Sequence, residues 1–138
     1  MSPVFADTWY YLALLNRDDA AHEEAARWSA RCARVVLLTD FVLIEVGNTF
    51  SRGRARAQFV GLVHSLRADP NTVVVPASES LVAEGFRLFA ERGDKDWSLT
   101  DCISFVVMGQ RGITEALTAD HHFEQAGFRI LLGKGAAG

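Results

Sequence analysis

Two hydrophobic periods alternate along the chain. Pro3-Val4-Phe5-Ala6, Val35-Val36-Leu37-Leu38 and Thr72-Val73-Val74-Val75 are short, nearly continuous apolar runs, the pattern of strands covered on both faces. Ala116-Leu117-Thr118 and Phe128-Arg129-Ile130-Leu131-Leu132 add a fourth and a fifth candidate. Helical patterns fill the intervals. An alanine-rich amphipathic segment spans Asp18 to Arg34, with Asp18 or Asp19 as its cap. Two more run from Asp40 to Ser51 and from Arg54 to Ala68, separated at Gly53. Ser78 to Arg92 places Val82, Phe86 and Phe89 at helical spacing, with Ser78 as cap and a stop at Gly93. The last long helix, Ser98 to Gln110, opens on the capping-box sequence Ser-Leu-Thr-Asp. Strands alternating with helices predict an α/β fold: a central, mainly parallel sheet of four or five strands with helices on both faces. Connections of this length suit right-handed crossovers.

The 138 residues have room for one core, so residues 1–138 read as a single domain, with 133–138 as a frayed tail. Apolar residues at 49% and charged residues at 22% exclude a disordered chain. Fourteen basic and seventeen acidic side chains leave a net charge of −3, so no global positive field marks a polyanion binder. Twelve of the fourteen cations are arginines, which suit forked contacts to phosphate. No run reaches the roughly 18 apolar residues of a membrane span. Asp7 interrupts the apolar N-terminus, which has no basic lead, so a secretory leader is not expected. Two cysteines make no disulfide framework, and the expected compartment is the reducing cytoplasm.

Chemistry in an open parallel sheet gathers beyond the carboxyl ends of its strands. Asp7 follows the first strand directly and Asp120 follows the fourth. Glu45 lies in Phe41-Val42-Leu43-Ile44-Glu45-Val46, on or beside a buried stripe, and Asp101 leads into an equally apolar helix. Each acid has a structural reading as well. Asp7 and Asp120 can cap the helices after them for about 1 kcal/mol each. Asp101 can close the capping box, and Glu45 can lay its stem on the core edge. Taken together, four acids suggest a pocket. Two carboxylates about 6 Å apart repel by roughly 3 kcal/mol at an effective dielectric of about 20. A hard divalent cation relieves that repulsion and supports attack of water on phosphate esters.

The ordered set Val4-Phe5-Ala6-Asp7-Thr8, Glu45 three before Asn48, Ser98-Leu99-Thr100-Asp101, and Leu117-Thr118-Ala119-Asp120-His121-His122-Phe123 with Ala126-Gly127-Phe128 resembles the PIN-domain ribonucleases. The nearest likeness is to VapC-type toxins of bacterial toxin–antitoxin pairs, over about residues 3 to 132. The resemblance implies that strands one and four are neighbours. It implies that Asp7, Glu45, Asp101 and Asp120 bind Mg²⁺ or Mn²⁺. Asp7 and Asp101 would be direct ligands, Asp120 would complete the site or hold a second ion, and Glu45 would orient water. Thr8 and Thr118 would support them, with Asn48 alongside. Apart from the resemblance, Asp96 in the loop before the Asp101 helix could be a fifth, peripheral acid, although a solvated turn suits it better. The implied reaction is endonucleolytic hydrolysis of RNA to 5′-phosphate and 3′-hydroxyl ends. A cognate antitoxin and a homodimer are the implied partners. One departure stands out: Trp9 occupies a position that is often small and polar in the family, and a core role suits it better.

Arg52, Arg54 and Arg56 form the one dense basic cluster and could steer an RNA backbone, or simply be solvated. His121 and His122 invite a general-base role, but metal-activated water needs none, so they read as a helix start. His22 and His64 read as surface residues. Trp9, Tyr10 and Tyr11 hint at apolar surface for a partner. Two further readings compete with the toxin: a PIN nuclease of RNA maturation without an antitoxin, and a catalytically silent PIN-like module that binds RNA or protein.

Overall fold

The protein was analysed as a computed structural model that describes residues 2–133. The tail expected over 133–138 therefore lies, beyond Gly133, outside the described residues. Five strands form one sheet: β1 (Val4–Ala6), β2 (Val36–Thr39), β3 (Thr72–Val75), β4 (Glu115–Leu117) and β5 (Arg129–Ile130). Their order is β3-β2-β1-β4-β5 and every pairing is parallel. Phe5 pairs with both Leu37 and Ala116, and Ala6 with Leu117, so the first and fourth strands are neighbours as expected. Val4, Phe5, Ala6, Ala116 and Leu117 have no exposed surface, which is why β1 and β4 lack polar alternation.

Seven helices cover the sheet: α1 (Thr8–Leu15), α2 (His22–Arg31), α3 (Asp40–Thr49), α4 (Gly53–Ala68), α5 (Glu79–Glu91), α6 (Leu99–Arg111) and α7 (His121–Gln125). The second helix begins later than Asp18, because Asn16 and Asp19 turn the chain first. Asn16 accepts from the Asp18 amide, and Asp19 from the Ala21 amide. Ser78 and Ser98 cap α5 and α6, and the Ser98–Asp101 capping box is reciprocal. Gly53, at φ 60°, makes the left-handed step between α3 and α4.

Val82, Phe86 and Phe89 do lie at helical spacing, but they face solvent, 42%, 60% and 46% exposed. The inward face of α5 carries Leu81 and Gly85, and a Cβ at position 85 would run into Ile103 of α6. A glycine thus sets how closely the two helices approach. The aromatic stretch at Tyr10 and Tyr11 is buried, not a partner surface, while Trp9 is half-buried against the core. His22 is half-buried too, its Nδ1 2.9 Å from the Ala13 carbonyl. Among the described residues, no helix is long and apolar enough to cross a membrane.

Candidate active site at the carboxyl end of the sheet

Asp7 emerges where β1 becomes α1, only 5% exposed. It occupies the N-cap position of α1 but makes no side-chain capping bond, so the capping reading fails for it. Its Oδ2 instead accepts a 2.9 Å hydrogen bond from Thr118 Oγ1, at the end of β4. The same hydroxyl oxygen accepts from the Asp120 amide at 3.0 Å. Thr118, fully buried, therefore ties the ends of β1 and β4 together.

Asp120 does cap a helix, since its Oδ1 accepts from the His122 amide at 2.9 Å. Asp101 also caps, its Oδ2 accepting from the Ser98 amide at 3.1 Å. That oxygen lies 3.1 Å from His122 Nδ1, which in turn stands 3.4 Å from Asp120 Oδ1. One imidazole thus sits between two carboxylates. Sequence reasoning treated His122 only as a helix start. The available signal was its position two residues beyond a strand-end acid, close enough for its backbone and ring to serve different carboxylates.

Electrostatics ties three acids together. Burial pushes the Asp7 carboxyl up to about 7, and the Thr118 hydrogen bond only partly opposes this, while Asp101 and Asp120 add to it. Asp101 is raised as well, first by desolvation and then by Asp120, against the pull of the Ser98 amide and His122. Glu45 is not among the charges that raise either group. It is half-buried on α3, with Val42 and Val46 buried on its helix, and its following Asn48 is exposed. The structure therefore brings Asp7, Asp101 and Asp120 within electrostatic reach of one another, while Glu45 lies on α3.

The donor set fits a divalent cation. Three carboxylates act on one another at the carboxyl end of the sheet, and Asp7 has no cationic side chain of the protein as a hydrogen-bond partner. Thr8 Oγ1, buried beside Asp7, has no hydrogen-bond partner of its own. An aquated cation at this place would satisfy both the charge and the orphaned hydroxyl.

Asp96 is exposed, in the loop that Trp97 anchors by donating from Nε1 to Gln125 Oε1. Arg52, Arg54 and Arg56 are exposed at the start of α4. Arg56 also edges a groove of about 570 Å³ between α3 and α4, floored by Leu43, Ile44, Phe59 and Val63.

The PIN domain family model matches residues 4–129. This chain belongs to the PIN domain family. Its all-parallel five-stranded sheet is the PIN fold. Among relatives, the 23S rRNA-specific endonuclease VapC20 of Mycobacterium tuberculosis is 29% identical over 125 residues, covering 91% of this PIN domain chain and 95% of that protein. The crystal structure of VapC20, described as a sarcin-ricin loop cleaving toxin, aligns with TM-score 0.80 over 91% of this chain and 95% of that one. DNA-bound VapBC from Salmonella typhimurium aligns at TM-score 0.66 with 16% identity, over 94% of this chain and 97% of that one. FitAcB from Neisseria gonorrhoeae aligns at 0.64 with 17% identity, over 94% and 96%. At those two identities the likeness is one of fold.

Proposed function

We propose that this PIN domain is a metal-dependent endoribonuclease, the toxin of a VapC-type toxin–antitoxin pair acting in the cytoplasm. The observation that carries the reading is the convergence of Asp7, Asp101 and Asp120 on one end of the sheet, supported by 29% identity to a 23S rRNA-specific endonuclease. The cofactor is Mg²⁺ or Mn²⁺, held by Asp7 and Asp101 with Asp120 completing the set. When bound, the ion supplies the charge that activates water and stabilises the phosphoryl oxygens. Thr118 keeps Asp7 turned toward the strand end, Thr8 offers a hydroxyl beside it, and Glu45 orients water from α3. Arg52, Arg54 and Arg56 gather the RNA backbone from the exposed start of α4. Hydrolysis leaves 5′-phosphate and 3′-hydroxyl ends.

The apolar α3–α4 groove suits an apolar segment of the antitoxin, and the exposed α5 stripe of Val82, Phe86 and Phe89 suits a homodimer contact. Phe41 and Ala77 extend that stripe into a shallow hollow.

The test is cleavage of total cellular RNA by purified protein with Mg²⁺ or Mn²⁺, with chelator, and with Asp101→Asn in parallel. Discrete fragments that vanish with chelator and with the variant are expected. Cutting that survives Asp101→Asn would sink the reading. No cutting at all by folded, antitoxin-free protein that binds the ion would favour the silent binding module.

A further inference from the structure

Asp7 and Asp120 follow β1 and β4, so strand pairing places them. Asp101 follows no strand. It arrives in the first turn of α6, after a loop from α5, and its position depends on what holds the start of that helix.

Trp97 immediately precedes the Ser98 cap, and the Ser98 amide holds Asp101 Oδ2 at 3.1 Å. The indole Nε1 of Trp97 donates at 2.9 Å to Oε1 of Gln125, the last residue of α7, 28 positions away. Trp97 is only 5% exposed. Its ring meets Phe105 of α6 edge-on at 5.0 Å, and Phe105 meets Phe123 of α7 in the same way at 4.9 Å. The Arg92 guanidinium at the end of α5 lies 5.0 Å from the indole centroid, and Asp94 grips Arg92 with both oxygens at 3.0 and 3.1 Å. Trp97 is thus held from α5, α6 and α7 together.

The short helix needs such a tie. The five residues of α7 are far too few to be stable as an isolated helix, so tertiary contacts set its direction. Apolar packing among the phenyl rings is non-directional, whereas a hydrogen bond fixes an angle as well as a distance. The bond from His122 to Asp101 belongs to the acid site itself, while Trp97 and Gln125 meet outside it. Taking Asp7, Asp101 and Asp120 as the ion's ligands, as proposed above, we infer that Trp97 and Gln125 are a positioning pair whose hydrogen bond sets the start of α6 against α7 and so holds Asp101 in place for the divalent ion. Ligand groups must be kept within about 0.5 Å of their working geometry, and loss of a supporting bond costs about 10- to 100-fold in metal affinity.

The test is a double-mutant cycle read in Mn²⁺ affinity. Wild type, Trp97→Phe, Gln125→Met and the double variant are titrated with Mn²⁺ by calorimetry, and the unfolding of each is followed in chelator. Gln125 is exposed, so Gln125→Met removes the acceptor without opening the core. Gln125→Glu keeps an acceptor oxygen and serves as the rescue. Gln110, whose Nε2 donates to Glu84 at the far end of α6, supplies the control Gln110→Met.

Each single variant should bind Mn²⁺ about 10-fold more weakly, and the double variant no more weakly than the worse single one. Gln125→Glu should restore most of the affinity, and Gln110→Met should leave it unchanged. RNA cleavage should fall at limiting Mn²⁺ and recover at saturating Mn²⁺. If Trp97→Phe does not fold, the comparison of Met with Glu at position 125 decides. Unchanged Mn²⁺ affinity in folded Gln125→Met would overturn the inference, as would losses that multiply in the double variant, an equal loss in Gln110→Met, or no Mn²⁺ binding by the wild type. The expected pattern of Mn²⁺ affinities in a chain that cuts no RNA would uphold the pair while the nuclease reading fell.

Discussion

The two ends of the same sheet treat charge in opposite ways. At the amino end, Arg34 enters just before β2 and Glu115 begins β4. They meet at 2.7 Å with side chains only 12% and 22% exposed. Arg34 also donates to the carbonyls of Ser2 and Pro3, and Arg129 approaches Glu115 from β5 at 3.6 Å. Arg34 and Glu115, the two partly buried charges of that pair, thus each have an opposite. At the carboxyl end, Asp7, Asp101 and Asp120 come together, and the protein offers them a threonine hydroxyl, backbone amides and an imidazole. Burial lifts the Asp7 carboxyl to about 7, and the hydrogen bonds from the Thr118 hydroxyl and the Thr8 backbone offset this only in part. One end is arranged for cohesion, and the other keeps an electrostatic demand that a bound cation can meet.

The sharpest way to break this contrast is at Asp7. Asp7→Asn should reduce RNA cleavage by more than about 100-fold, beyond the 10- to 100-fold typical of a supporting residue. The same change should stabilise the metal-free protein at pH 8 by a few kcal/mol, since it removes a buried charge. Chemical denaturation of the two chains in chelator checks this, and equal stability at pH 8 would count against the electrostatic account.

The pH dependence follows with its sign. In the unfolded chain Asp7 loses its proton near 3.8, while in the folded chain it keeps it up to about 7. The folded state binds more protons across that window, so metal-free stability falls as pH rises from about 4 to 7 and levels off above. Asp101, also raised, adds to the same slope. Mn²⁺ should therefore raise the melting temperature more at pH 8 than at pH 5, where protons compete for the same oxygens. A melting shift independent of pH would place the ion elsewhere.

Thr118→Val keeps the shape of the strand end and removes the hydroxyl shared by Asp7 and Asp120. Cleavage should fall about 10- to 100-fold through looser ion binding, recoverable in part at high Mn²⁺. At the opposite end, Arg34→Met should cost about 1–3 kcal/mol of stability by leaving Glu115 without its main partner. Its cleavage rate per folded molecule should be unchanged. A loss of activity there without a loss of stability would mean that the two ends are coupled.

The local devices were legible in the chain because their causes are local. Continuous apolar runs mark β1 and β2, whose interiors are solvent-free, and Ser98-Leu99-Thr100-Asp101 forms the box its spacing announces. Asp7 and Asp120 could be placed at strand ends, and the parallel sheet then dictated which end of the molecule they share. What tertiary structure alone decided is which distant groups meet. Nothing near Thr118 announces a hydrogen bond to a residue 111 positions away; it exists because β4 is inserted beside β1. Helical spacing gave Val82, Phe86 and Phe89 a common face without saying whether that face turns inward, and the close approach at Gly85 turned it outward. His122 looked like a helix start because it is one, and became a bridge only when α6 brought Asp101 to within 3.1 Å of its ring. Periodicity is set by neighbours a few residues apart, whereas sheet order and helix facing are settled by packing between segments. The acids were therefore in the sequence, and their meeting was in the fold.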